Sequence, residues 1–271
     1  MNNVAVKIAT WNINSVRLRA ELVVKFLREY QPDVLCLQET KCPPGQFPSS
    51  AFTEAGYTHI AERGQSGYHG VAIVSRIPFT DMHSRDFCNK GDARHVSVRL
   101  EGACPLSVHS FYVPAGGDEP DPAINDKFAH KLSFLEEMNG WLNKAAVTKM
   151  APVVITGDLN IAPHENDVWS HKKLLKVVSH TPVETELLAK LQTEGGWVDA
   201  VRQHIPTDEK LYTWWSYRAR DWSAADKGRR LDHIWLDKHS AASCTSAEVV
   251  RDARGWERPS DHAPVIATLS L

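Results

Sequence analysis

The chain has 271 residues, 42% of them hydrophobic, and a formal net charge of −2 at pH 7. That is enough apolar material for one large core and too little positive charge for a global basic field, so any polyanion contact has to be local. The five cysteines (Cys36, Cys42, Cys88, Cys104, Cys244) are an odd set without CxxC spacing, which speaks against a disulfide framework or a zinc knuckle and implies a reducing compartment. Along the chain, apolar runs rich in β-branched residues predict strands at 6–13, 33–39, 70–76, 95–100 and 105–113, and again at 152–160, 211–217, 230–236 and 264–271. Leu18, Leu22, Val23, Phe26, Leu27 and Tyr30 recur at helical spacing, as do Phe128, Leu132, Leu135, Met138 and Leu142. A third helix is expected over 184–203, interrupted by Gly195 and Gly196.

No repeat, low-complexity run or linker divides the chain, so a single domain over 1–271 is expected. Many strands with few, unevenly placed helices fit two packed sheets with helices outside better than a regular βαβ barrel. The N-terminus lacks a basic flank followed by a long apolar stretch, and nowhere do apolar residues run far enough to span a bilayer. The expectation is a soluble cytoplasmic protein with no membrane partner. HExxH, GxSxG, GxGxxG and GxxxxGK[ST] are absent, which removes the usual zincin, serine-hydrolase, dinucleotide and P-loop readings.

Several apolar strands stop on a carboxylate, amide or imidazole. Asn12 and Asn14 follow IATW, Glu39 follows VLCLQ, Asp158 and Asn160 follow VVITG, Asp232 sits inside RRLDHIWL, and Asp261 and His262 lead into the last strand. Taken alone, GDLN reads as a turn, Glu39 as a surface strand end and His262 as a structural histidine. Asp232, flanked by Leu231 and Ile234, would be partly buried and costly without a partner. In an extended chain Asp261 and His262 point to opposite faces, so a carboxylate partner for His262 must come from elsewhere. If facing sheets deliver these groups to one edge, the crowded carboxylates need a cation, and all-oxygen ligands suit a hard ion such as Mg2+ or Mn2+. Hard cations with few protein ligands work on phosphates, which makes metal-assisted phosphodiester hydrolysis the natural reaction class.

Seven segments, WNINSVR (11–17), PDVLCLQETK (32–41), YHGVAIVSR (68–76), VVITGDLNIAP (153–163), YTWWSYR (212–218), RRLDHIW (229–235) and PSDHAPV (259–265), span essentially the whole chain. Together, in this order, they resemble the exonuclease III family of apurinic/apyrimidinic endonucleases. GDLN or SDH alone would match the wider endonuclease/exonuclease/phosphatase superfamily. The resemblance implies a four-layer α/β sandwich of two packed mixed β-sheets flanked by helices. It also implies a monomeric, Mg2+-dependent DNA repair nuclease, with Mn2+ as a substitute metal. Such an enzyme cuts duplex DNA 5′ to an abasic site, with 3′-to-5′ exonuclease and 3′-end cleaning as companion activities.

By match to the motifs, Glu39 is the principal metal ligand with Asn12 beside it, and Asp261, Asp158 and Asn160 are further ligand candidates. The resemblance makes Asp158 the orienter or base for the attacking water. Asn160 and Tyr112 would contact the scissile phosphate, and His262 would stabilise its charge while Asp232 orients the ring. Lys41, Tyr68, Arg94, Trp214, Arg229 and Leu231 match positions that contact or support the DNA, Trp214 and Leu231 walling the pocket for a base-free sugar. Aromatics alternate with Arg218, Arg220, Lys227, Arg229 and Arg230 over 212–232, which also reads as core tryptophans beside a solvated loop.

Two departures stand out. Ala115 occupies the position where relatives commonly carry Asn or Gln near the phosphate, so that contact is absent or replaced. Residues 164–183 form this chain's own version of a variable loop, in which Lys172, Lys173 and Lys176 read either as phosphate contacts or as a solvated helix face. Two other readings remain open: the same fold and metal chemistry acting on inositol phosphates or phospholipids, and a DNA-binding relic without activity. The length of the match at Trp214, Leu231 and YHGVA speaks against the first, and the intact Glu39, Asp158, Asp232 and His262 against the second.

Overall fold

A computed structural model describes residues 4–102, 105–143 and 152–271 of the chain. Cys104, one of the five cysteines read as free, lies outside the described residues; Cys36, Cys42, Cys88 and Cys244 are free thiols. In chain order the strands are β1 (Ala5–Asn12), β2 (Val34–Gln38), β3 (His59–Arg63), β4 (Val71–Ser75), β5 (Phe79–His83), β6 (His95–Leu100) and β7 (Leu106–Tyr112). They continue with β8 (Val153–Asp158), β9 (Val198–Asp199), β10 (Trp214–Trp215), β11 (Gly228–Arg229), β12 (Asp232–Leu236), β13 (Cys244–Val249) and β14 (Val265–Ser270).

Two mixed six-stranded sheets result, ordered β13-β14-β1-β2-β4-β3 and β5-β6-β7-β8-β12-β9. Strand alternation explains how they stack. On β2, Val34 and Cys36 enter an inter-sheet core with Ile8, Ile73, Val108, Val154 and Ile234, while Leu35 and Leu37 face the other way. Those outward residues are covered by helices α1 (Ala20–Tyr30) and α2 (Ser49–Glu54) through Phe26, Leu27 and Phe52. On the far side, Ile155 and Trp235 pack under α3 (Asp126–Leu142) and a later helix through Phe134, Leu135, Leu188 and Leu191. The layers are helix, sheet, sheet, helix, the four-layer α/β sandwich expected from the sequence. Gly157 lets β7 and β8 approach closely: a Cβ there would stand 1.9 Å from the Phe111 carbonyl oxygen. Among the described residues no helix is long and apolar enough to cross a membrane.

The single helix expected over 184–203 is two. After the four-residue α4 (His171–Leu174), helix α5 (Pro182–Gly195) starts at a Thr181/Glu184 capping box with Pro182 in the first turn, and stops at Gly196 in the left-handed region (φ 65°). Strand β9 follows, and the Asp199 carboxylate then accepts from the amides of Val201 and Arg202 to start α6 (Ala200–His204). The strand expected over 211–217 is reduced to β10, which pairs with β11 and bridges to His262 through Trp214, while Thr213 just before it turns its hydroxyl to Asp232 at the start of β12. The 164–183 loop is a pinned wall: Val168 bridges to Arg229, the Trp169 amide donates to the Gly228 carbonyl, and the Ala162 amide donates to the Ser179 carbonyl.

Candidate active site

Sheet register brings the strand-end polar residues together. Parallel pairing of β7 with β8 sets Tyr112 beside Asp158, and antiparallel pairing of β8 with β12 sets Asp158 beside Asp232. The three form one row at the rim of the second sheet. In the first sheet, β1 and β2 run parallel with Asn12 opposite Gln38, so Asn12 and Glu39 leave their strands at the same rim. The chain then turns sharply, and Asn14, Glu39, Lys41 and Asn160 all hold left-handed backbone, a cost concentrated where side chains must be re-aimed.

Hydrogen bonds cross between the sheets. Nδ2 of Asn12 donates to Oε1 of Glu39 (2.9 Å) and Oδ2 of Asp158 (2.8 Å), and the Tyr112 hydroxyl donates to Oε1 of Glu39 (2.9 Å). The other carboxylate oxygen of Glu39 faces the Lys41 ammonium at 2.8 Å. Lys41 also donates to Oδ1 of Asn14, whose Nδ2 donates to Oδ1 of Asp261. His262 lies between two carboxylates: Nδ1 is 2.8 Å from Oδ2 of Asp232 and Nε2 is 3.8 Å from Oδ2 of Asp158. The neighbouring Asp261 turns away and accepts from the Trp214 indole N–H at 3.0 Å.

The electrostatics follow from this packing. Burial opposes charge on His262, but Asp232 and Asp158 outweigh it and raise the imidazole well above its ordinary range, so the ring is a cation at neutral pH. Burial, with Asp232 and Glu39 adding repulsion, raises the Asp158 carboxyl towards neutrality against the pull of His262 and Asn12. Burial also favours a neutral Glu39, yet Lys41 and the Asn12 amide hold that carboxyl below its usual value. For Tyr112, burial and the nearby Glu39 and Asp158 push the phenol well up, so it stays a neutral donor.

The donor set fits a hard divalent ion. Glu39 and Asp261 are linked through Lys41 and Asn14, so a positive charge already bridges the two acidic positions. Asp158, Asp232 and His262 bring ligand atoms within 4.8 Å of one another, and Oδ1 of Asp232 is buried without a hydrogen-bond partner among the described residues. The imidazolium is a poor ligand in that trio, its Nδ1–H being spent on Asp232. As arranged, Asn12 turns its NH2 to the two carboxylates and its oxygen to the Asn14 amide, so it bridges them and does not present an oxygen ligand. Both amide hydrogens of Asn160 go to Val113 O and Asp158 Oδ2, leaving its Oδ1 as the group without a protein partner among the described residues.

A cleft of about 580 Å³ opens over this rim, lined by Glu39, Asp158, Asn160, His262 and Asp261 on one side and by Trp169, Trp214, Arg229 and Leu231 on the other. Arg229 is tethered to Val178 O and Ser179 Oγ, with its guanidinium 5.3 Å from the Trp214 ring centroid. Tyr68 is exposed, its ring beside that of His69, and it is not among the residues that line the cleft. Arg94 is buried, bonded to Asp92 and Tyr112 O, and stacked on the Tyr112 ring, so it buttresses the tyrosine; of contact and support, the two roles the resemblance allows it, this placement suits support. Ala115 lines the cleft with no polar side chain, and its carbonyl accepts from the buried Lys131. Lys172, Lys173 and Lys176 are exposed, as a solvated face requires.

Sequence reading assigned no role to Thr213, whose hydroxyl donates to Oδ2 of Asp232 (2.6 Å) and accepts from the Asp232 amide, nor to Ser260, which accepts from the His262 amide. Trp169 and Lys131 were also unassigned. Only their tertiary neighbours distinguish these residues; Asn14, visible in the NIN triplet, carried a signal.

A carboxylate-lined rim joining two sheets, with a caged imidazolium and a place for a cation, defines a metal-dependent phosphoesterase site. The sequence matches the model of the endonuclease/exonuclease/phosphatase family over residues 9–262, and the chain belongs to that family. Its relatives there are of the exonuclease III type. The exodeoxyribonuclease III of Haemophilus influenzae is 31% identical over 96% of this chain and 98% of its own length. Among solved structures, an AP endonuclease from Archaeoglobus fulgidus superposes with a TM-score of 0.89 at 32% identity, covering 98% of this chain and all of that one. A 3′ phosphatase from Neisseria, solved with a product DNA hairpin, superposes with a TM-score of 0.89 at 31% identity over the same shares.

Proposed function

We propose that the chain is a Mg2+-dependent DNA repair nuclease that hydrolyses the phosphodiester 5′ to an abasic site in duplex DNA and cleans or trims 3′ ends. The observation that carries this reading is the row of Tyr112, Asp158 and Asp232 at the rim of one sheet facing Glu39 from the other, with His262 held as a cation between two of the carboxylates. Asp158, raised towards neutrality, orients the attacking water and takes its proton. His262 places positive charge against the phosphoryl oxygens as charge builds there, and Asp232 with Thr213 keeps its ring in place. Tyr112 donates to a phosphoryl oxygen when substrate displaces its bond to Glu39. Glu39, with Asp261 as the further carboxylate, would hold a divalent ion, which would supply positive charge to offset that on the leaving oxygen.

Trp214 and Leu231 wall the sugar pocket, and Tyr68, Lys41 and Arg229 meet or support the DNA backbone. The relatives support DNA as the substrate, since one is named an exodeoxyribonuclease and another was solved with product DNA. The free thiols support a cytoplasmic setting. The test is an end-labelled duplex carrying one abasic analogue, incubated with Mg2+ or with chelator. Metal-dependent incision 5′ to the lesion is expected; binding without incision, or cleavage of inositol phosphates alone, overturns the reading.

A further inference from the structure

We infer that Trp169 is a stacking platform for the nucleobase of a 3′-terminal nucleotide, making it the residue that lets this cleft accept a sugar that still carries its base. The inference rests on the nuclease reading above and concerns which substrates that site prefers.

Trp169 lines the same cleft as Asp158 and His262 and packs with Ala162, Val168, Leu174 and Leu231 in a small apolar cluster that also receives Val177 and Trp214. Two ammonium groups lie against its ring, Lys173 at 5.2 Å and Lys227 at 5.1 Å from the centroid. Neither lysine forms a salt bridge among the described residues, so both remain available to a phosphate. An aromatic face flanked by unpaired cations is how single-stranded nucleic acid is held, the base stacking and the cations tracking the backbone. The ring is also built in: the Trp169 amide donates to Gly228 O, Val168 bridges to Arg229, and Arg229 holds Val178 and Ser179. A base-free sugar needs only an apolar wall, which Trp214 and Leu231 provide. It has no π face to occupy a second indole.

The chemistry is the same for both substrates. Water attacks phosphorus, the bond to the 3′-oxygen of the preceding nucleotide breaks, and that oxygen leaves with a proton. The group released on the 3′ side is either a base-free sugar phosphate continuous with the strand or a terminal nucleoside 5′-monophosphate. In each case the sugar on the 3′ side of the broken bond lies in the cleft, and only the second presents a base to Trp169.

Wild type, Trp169→Leu and Trp169→Phe would be compared on two duplexes with Mg2+, one ending in an ordinary 3′ nucleotide and one carrying an internal abasic analogue. Stacking predicts that Trp169→Leu lowers the ratio of terminal excision to abasic incision, in kcat/KM, by about tenfold or more, and that Trp169→Phe restores most of it. In the unsubstituted protein, purine ends should show a lower KM than pyrimidine ends. A ratio unchanged in Trp169→Leu overturns the inference, as does equal KM for purine and pyrimidine ends, which needs no variant to fold. If wild type cleaves neither duplex in the presence of metal, it is the nuclease reading that falls.

Discussion

Oδ2 of Asp232 lies 2.8 Å from Nδ1 of His262 and accepts a second hydrogen bond from the Thr213 hydroxyl, so one carboxylate oxygen fixes both the tautomer and the tilt of the imidazole. Asp232→Asn keeps the shape and removes the charge that sustains the imidazolium. The folded protein is expected to persist with turnover lowered by about 10²-fold or more, in line with general acid–base contributions. A single-turnover assay showing unaltered chemistry would remove Asp232 from the mechanism.

Metal binding should be visible without turnover. Adding Mg2+ to chelator-treated protein is expected to raise the melting temperature by a few degrees, since a ligand at about 100 times its Kd stabilises by about 2.7 kcal/mol. Glu39→Gln should abolish the shift. Lys41→Met should enlarge it at limiting metal, because it removes the ammonium that neutralises Glu39 at 2.8 Å. A shift that survives Glu39→Gln would place the ion elsewhere.

The Lys131–Glu184 pair is fully buried at 2.5 Å; Lys131 also donates to Asn160 O, and Glu184 accepts from the amides of Ser179 and Thr181. Lys131→Met strands a carboxylate in the interior and is expected to cost about 3–5 kcal/mol in urea unfolding. The double variant Lys131→Met/Glu184→Leu should recover part of that loss. Strictly additive losses would show that the two charges do not compensate each other.

Acid should weaken the fold at His95 and His109. The His95 Nδ1 accepts from the Arg85 amide, so its Nε2–H donates to His109 Nδ1 at 3.1 Å, and the pair is satisfied only when neutral. Burial is the main cause that lowers both pKa values, His109 to about 4 and His95 well below its ordinary value, with His109 adding repulsion to His95. Because the folded values are depressed, the unfolded chain takes up protons first as pH falls. The contribution is intact above about pH 6.5 and is lost down to about pH 4, by about 1.4 kcal/mol per histidine per pH unit. Urea midpoints between pH 7 and 4.5 should fall more steeply in wild type than in His95→Phe/His109→Phe; equal slopes would assign the acid loss to other groups.

Much of this was legible in the sequence because strand ends are punctuated by chemistry. Glu39, Asp158 and Asp232 each terminate or open a run of Val, Ile and Leu, from which two packed sheets with one crowded rim could be read, and the resemblance to the exonuclease III family implied the four-layer sandwich. Strands β3 and β13 escaped notice because His59, Glu62, Arg63 and Glu248 interrupt their apolar pattern. The helix expected over 184–203 was broken by Gly196 and Asp199, whose backbone and capping roles compete with periodicity. The inward turn of Arg94 was not legible, since only tertiary packing places the Tyr112 ring beneath its guanidinium. Thr213 and Trp169 have the same excuse: the Asp232 carboxylate is 19 positions from Thr213 and the Gly228 carbonyl 59 positions from Trp169.

Leu231 and Asp232 are adjacent on one extended segment and so present opposite faces, the leucine to the cleft wall and the aspartate to the imidazole. Shape selection and proton placement therefore share a single phase of the backbone. Side chains around this dipeptide can change without disturbing that phase, but inserting or deleting one residue beside it would exchange the two faces, turning a carboxylate into the sugar wall and a leucine towards the histidine.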